Sequence, residues 1–304
     1  MTRGRGALAL ASVCLATVGA AAPAVAQGAP DALRSRVAPP DEVVLQAYRD
    51  SGVANPTLHS LTDDEWGKVD AAIGALPELH RRVLQQHLRR LSFVDVPPGG
   101  GNALTRLVDP GAANKQFDLA FRAGLLRETL TEFLNGKESG VFEPDRSGQT
   151  VAIEAGDSSA IAYVLLHEAT HVVDATLEIS TAPNSRFQTG IWLDRTRLAP
   201  PYDRSMIQST AFRRGPRTPL AKAQALYQAL SRTPFVSLYA TAATGEDLAE
   251  LVAWEQLATR RHQSLAIIVK DARGKIAYRY EPLKSSLVRS RFPAVEELLA
   301  RRDG

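Results

Sequence analysis

Two histidines four positions apart, with a glutamate directly after the first, are the residues of this chain best suited to chemistry: His167-Glu168-Ala169-Thr170-His171. They lie in an apolar stretch, residues 161–166 before and Val172-Val173 after, that reads as a helix. On an α-helix, residues four apart sit one turn apart and roughly 40° around the axis, so both imidazoles can reach one ion. Glu168 falls on the neighbouring side, where it can act on a metal-bound water without being a ligand. This HExxH spacing points to zinc chemistry rather than to a histidine pair packed in a core.

Catalytic zinc takes three protein ligands and keeps one position open, so a further ligand must come from elsewhere in the chain. The metzincin pattern would need a glycine at 174 and a histidine at 177, where this chain has Asp174 and Leu177. His262, beside Arg260 and Arg261, reads as a solvated surface residue; His59, His80 and His87 read as surface or packing residues. The best source is Thr244-Gly245-Glu246-Asp247-Leu248-Ala249-Glu250. Thr244 and Asp247 mark a helix start, which puts Glu246 and Glu250 on one helical face. Alone, that is a solvated acidic face. Beside an HExxH helix, one carboxylate can complete the zinc shell while the other orients a ligand histidine through its second ring N–H. Asp174 is close to His171 but a turn further from His167, so hydrogen bonding to an imidazole or to backbone suits it better than coordination.

The segment Ser237-Leu238-Tyr239-Ala240, followed by Glu246 and Glu250, resembles the metal site of the anthrax-lethal-factor-like zincins. In that group a tyrosine stands seven residues before the ligand glutamate and a second glutamate four after it. His171-Val172-Val173-Asp174 is similar to the HExxH-x-x-D form of the same group. The resemblance covers about residues 150–256 and implies His167, His171 and Glu246 as ligands of one catalytic Zn2+. It further implies Glu168 as general base, Tyr239 as donor to the oxyanion, and Asp174 and Glu250 as supporting carboxylates. Glu250 as the ligand in place of Glu246 stays open. Glu246 follows His171 by 75 positions, a longer interval than is usual in that group. The excess falls in a loop-rich segment, 178–238, expected to form a wall or lid of the cleft.

The elements that must hold these groups follow a leader. Arg3 and Arg5, the apolar run 7–22 and Ala24-Val25-Ala26 read as a secretory signal peptide over residues 1–26, too short and alanine-rich for a strong membrane span. Cys14, the single cysteine, lies in it, so the exported chain is expected without disulfides and any zinc must be held by His and carboxylates. Removing the leader takes two of the 36 basic residues, leaving 34 against 33 acidic ones. That balance carries no electrostatic argument for nucleic acid or a membrane surface as partner.

Residues 27–40 read as a flexible lead-in and 41–140 as a mainly helical part. There, Thr62-Asp63-Asp64-Glu65 is a capping box, and Pro77 opens a helix carrying Leu84, Leu88 and Leu91 on one face. Residues 97–101 form a turn, and 117–134 a helix closed by Asn135-Gly136. In 141–304, a strand at 150–153 precedes the metal-motif helix at about 159–176, a helix lies near 220–230, and 265–269 with 276–280 form a β-hairpin. The 150–153 strand is expected to bind extended substrate by strand addition.

Together these readings predict an α+β, zincin-like domain of gluzincin type: a small sheet over the HExxH helix, with a mainly helical N-terminal part. The predicted activity is that of an exported, periplasmic or secreted zinc metallopeptidase acting on peptides or proteins. The same metal chemistry would serve an amide hydrolase acting on cell-wall peptides. The opposing reading is a non-enzymatic zinc-binding scaffold, although structural zinc sites normally close with four protein ligands, often cysteines.

Overall fold

A computed structural model of the chain describes residues 29–97 and 101–302. The expected leader with Cys14, and residues 98–100 of the expected turn, lie outside them. In chain order the described elements are α1 (Ala29–Arg34), α2 (Glu42–Asp50), β1 (Thr57–Leu58), α3 (Asp63–Gly74), α4 (Glu78–His87), β2 (Leu88–Asp95), β3 (Ala103–Leu107) and β4 (Phe117–Arg122). Then come α5 (Leu130–Ser139), β5 (Phe142–Glu143), β6 (Thr150–Glu154), α6 (Ala160–Leu177), β7 (Thr218–Pro219) and α7 (Ala223–Leu230). The last are α8 (Thr244–Arg261), β8 (Ala266–Lys270), β9 (Ile276–Tyr280), α9 (Ser286–Arg289) and α10 (Phe292–Leu299).

Two reciprocal capping boxes start helices of the N-terminal half. The Thr62 hydroxyl accepts from the Glu65 N–H at the head of α3, and the Thr129 hydroxyl accepts from the Glu132 N–H at the head of α5. Each glutamate returns a bond to its capping residue's own N–H, so two otherwise unpaired helix donors are satisfied at each end.

Between these helices the mainly helical expectation for 41–140 fails. A four-stranded sheet runs in the order β1-β2-β4-β3, with β2 parallel to β4, and β1 and β3 antiparallel to their neighbours. Leu88 and Leu91 belong to β2, not to the helix that ends at His87. The expected 117–134 helix divides into β4, a short 3-10 turn at Ala123–Leu126, and α5, which continues through Asn135-Gly136 to Ser139. The cause is two-sided burial. Leu119 and Phe121 face the main core, while Ala120 joins a second cluster with Val44 and Tyr48 of α2. A strand covered on both faces loses the polar alternation that marks it, and its apolar run then reads as helix.

The expected flexible lead-in is likewise ordered where described. Leu33 of α1 is buried in the main core, and Leu91 N–H donates to Arg36 O while Ala38 N–H donates to Leu91 O.

β6, α6, α7 and the hairpin β8–β9 form where the sequence places them. β6, β8 and β9 make a second, antiparallel sheet in that order. α6 and α8, the longest helices described, pack side by side, with α3 and α4 against α6 and α10 against α8. Segment 178–238 has little regular structure but is anchored by apolar residues, including Ile179, Trp192, Leu198 and Phe235, that join the main core. No helix among the described residues is long and apolar enough to cross a membrane.

Candidate metal centre and cleft

α6 carries His167 and His171 one turn apart, with Tyr163, Val164, Leu165 and Leu166 buried just before them. The two rings meet edge to face, and their Nε2 atoms lie 3.2 Å apart. α8 brings in Glu246, whose Oε2 is 3.1 Å from His167 Nε2 and 3.5 Å from His171 Nε2. Among the described residues, these three form the one cluster with the donor types and spacing for a metal ion. Zinc bonds to nitrogen and oxygen of about 2.0–2.2 Å at tetrahedral angles put neighbouring ligand atoms about 3.3 Å apart. The three measured separations bracket that value, so the residues present fit the ion.

Glu250 lies one turn further along α8 and is buried, with 1 % of its surface exposed. Its Oε1 is 3.4 Å from the other ring nitrogen of His167, Nδ1, on the side away from the cluster. Tyr163 OH donates to Glu250 Oε1, and Ser237 Oγ donates to Oε2 at 2.6 Å. Lys137 Nζ of α5 stands 3.6 Å from Oε1. A buried carboxylate needs such partners, because desolvation otherwise disfavours its charge. Burial pushes the Glu250 carboxyl up, but Lys137 and the hydrogen-bonding groups outweigh it and hold it down at about 2.

The same contest governs the cluster. Burial disfavours charge on both His167 and Glu246, yet their mutual interaction prevails. His167 is pushed up to about 9, while Glu246, held also by His171, falls well below the usual carboxylate range. The Glu246 carboxylate beside the two rings thus favours positive charge on His167.

Glu168 turns the other way, toward strand β3. Thr105 Oγ1 donates to its Oε2 at 2.6 Å. Both residues line a cleft of about 600 Å³ together with His171, Tyr239, Gly245 and Glu246. Tyr239 has its ring 5.9 Å from that of His167 and edge-on to Phe212, and burial, with the nearby Glu246 and Glu168 carboxylates, raises its phenol well above the usual range. Asp174 does not bond to an imidazole; it accepts from Ser180 N–H and Ser180 Oγ, both at 2.6 Å. It therefore secures the chain where it leaves α6.

The cleft edge is β3, not β6. β3 is the outer strand of its sheet and supplies Ala103, Leu104, Thr105 and Leu107 to the cleft wall. β6 lines a separate cavity with Thr150 and Val151, so the expectation of strand addition at 150–153 is corrected. From segment 178–238, Glu178, Ser180, Thr181 and Arg195 reach the cleft wall.

The remaining histidines lie outside the cluster. His80 is fully buried, bonds to Thr170 Oγ1 at 2.9 Å, and is pushed down to about 3 by burial. His59 sits between Glu65 and Asp95, His87 bonds to Lys115 O, and His262 is exposed at the left-handed end of α8. The sequence marks no role for Thr105, Lys137 or Tyr163, and shows Ser237 only as the start of the segment that precedes Glu246. Tyr163 stands four before His167, a spacing that signals a shared helix face; Thr105 and Lys137 carry no such signal. No family model, curated protein or solved structure matches the chain.

Proposed function

We propose that this chain is a zinc-dependent metallopeptidase of gluzincin type, with His167, His171 and Glu246 as zinc ligands and Glu168 as general base. The observation that carries the proposal is the triangle of ligand atoms, 3.1–3.5 Å on a side, beside a carboxylate that lines the same open cleft. A zinc ion held there would act as a Lewis acid and bring the pKa of a bound water toward neutrality.

The chain's own groups supply the rest. Glu250 Oε1 stands 3.4 Å from His167 Nδ1; a proton held on that nitrogen by the carboxylate would fix the tautomer and leave the Nε2 lone pair for the cluster. Thr105 holds one oxygen of Glu168 and leaves the other to take the proton of the attacking water. Glu168 then delivers that proton to the leaving amine nitrogen as the peptide C–N bond breaks. Tyr239, whose raised pKa keeps its O–H intact, donates to the developing oxyanion. The outer strand β3 offers backbone groups to an extended substrate, and the cleft's size suits a peptide. The exported setting expected from residues 1–26 belongs to this same proposal.

The test is a matched pair of proteins. Wild type should bind about one zinc per chain, by metal analysis after dialysis, and hydrolyse peptides. Glu168→Gln should keep the metal and lose roughly a thousandfold in kcat. A wild type that takes up no zinc, or a Glu168→Gln variant at full activity, refutes the proposal.

A further inference from the structure

Glu168 faces a second cavity besides the cleft. It has a volume of about 240 Å³ and meets the cleft at Ala103, Glu168 and Tyr239. Phe133, Tyr163, Val164 and Phe212 give it apolar walls, and it opens directly beside the proposed reacting groups. A substrate residue next to the scissile bond would send its side chain here.

Two hydrogen-bond donors line this cavity, Lys137 and Asn102. Lys137 Nζ stacks 3.3 Å from the centre of the Tyr239 ring and stands 3.6 Å from Glu250 Oε1. Neither contact is a hydrogen bond, and the Glu250 oxygens already accept from Tyr163 and Ser237. Among the described residues, none of the ammonium's three N–H groups is hydrogen-bonded, although the side chain is only 16 % exposed. Asn102 is the second donor. Its Oδ1 accepts from Arg122 Nε at 3.3 Å, and its NH2 group makes no hydrogen bond to the described residues. The one carboxylate on the wall, Glu168, is held by Thr105 and engaged in the proposed proton transfer.

A chamber of mixed lining, with aromatic walls, a half-buried cation that also faces Glu250, and an amide donor, favours a side chain with an apolar stem and an anionic acceptor at its end. We propose that this cavity is a specificity subsite for an acidic residue, glutamate or aspartate, adjacent to the bond that is cut. Lys137 and Asn102 are its recognition groups. The proposal rests on the peptidase reading above and names its substrate class. A leucine in the same place would fill the walls but offer neither donor an acceptor of its own, and a lysine would meet the like charge of Lys137.

The experiment digests a proteome-derived peptide library with zinc-loaded wild type and reads the residues flanking each cut by mass spectrometry. Glutamate and aspartate should be favoured about tenfold over leucine at one of the two flanking positions. Lys137→Met should bring that ratio to near unity, while Lys137→Arg keeps a preference for acids. If Lys137→Met does not fold, Asn102→Ala reads the same ratio and should lower it about threefold. A wild type indifferent to acidic residues overturns the subsite, as does a preference that survives both Lys137→Met and Asn102→Ala. No cleavage of any peptide by zinc-loaded protein overturns the peptidase reading and the subsite with it.

Discussion

Glu246 and Glu250 carry the same side chain one helical turn apart, and their surroundings separate them. Glu246 is partly exposed and shares a cleft with His171, whereas Glu250 is enclosed by Tyr163, Ser237, Lys137 and His167 Nδ1. The proposed assignment therefore predicts different losses. Glu246→Ala should abolish tight zinc binding in a chelator competition. Glu250→Gln should retain zinc but weaken it about 10–100-fold, because it loosens His167 without removing a ligand. Equal losses in the two variants would contradict the division. Tyr239→Phe should keep zinc and lower kcat about a hundredfold, with little change in KM, since an oxyanion donor acts mainly in the transition state. The residue types and spacings of this site were legible in the sequence: two histidines, the adjoining Glu168, a tyrosine and two further glutamates. Which carboxylate faces which ring nitrogen was not, because helical spacing puts both on one face and only the packing of α8 against α6 tells them apart.

At the scale of elements, α3 shows how a cap becomes a pH-dependent joint. Glu65 closes the capping box at Thr62 and also binds His59 and Arg127, although it is nearly buried. Burial pushes its carboxyl up, but the bonds from His59 and Thr62 prevail and bring it down to about 2. A folded-state value below the ordinary 4.5 means a contribution to stability that is fully present above about pH 4.5 and is lost as pH falls toward 2. Glu65→Gln should accordingly cost about 1–2 kcal/mol in urea unfolding at pH 7. The gap to wild type should narrow as pH is lowered to 3. A gap that is constant with pH would show that the charge of Glu65 contributes nothing. The cap itself was readable from Thr62 to Glu65, as was α6 from its apolar run. The strands β2 and β4 were not, because α2 covers the sheet face that would otherwise have shown polar alternation.

Across the whole molecule, one buried ion pair joins pieces distant in sequence. Arg291 donates to both oxygens of Asp247 at 2.7 and 2.8 Å, and Trp192 Nε1 donates to Asp247 Oδ2 at 2.9 Å. Arg291 also reaches Phe187 O and Pro234 O. The C-terminal helices, segment 178–238 and the first turn of α8 thus meet at Asp247, directly beside Glu246. Arg291→Ala would leave Asp247 buried and unpaired, at a cost of about 3–5 kcal/mol. Thermal unfolding should fall accordingly, and zinc affinity should fall with it, because α8 positions Glu246. An Arg291→Ala protein with unchanged melting and zinc affinity would show that this joint does not support the metal centre.

By itself the sequence offered the candidate donors His167 and His171, the candidate base Glu168, two candidate glutamates, and the helices α6 and α8 that carry them, since these follow from residue type and local periodicity. The tertiary structure decided what depends on contacts between distant segments. It put Thr105 of β3 against Glu168, Lys137 of α5 against Tyr239, and Glu250 on the far nitrogen of His167. It also made β3, rather than β6, the strand at the cleft. Local spacing fixes which side chains share a helix face; only packing decides what that face meets.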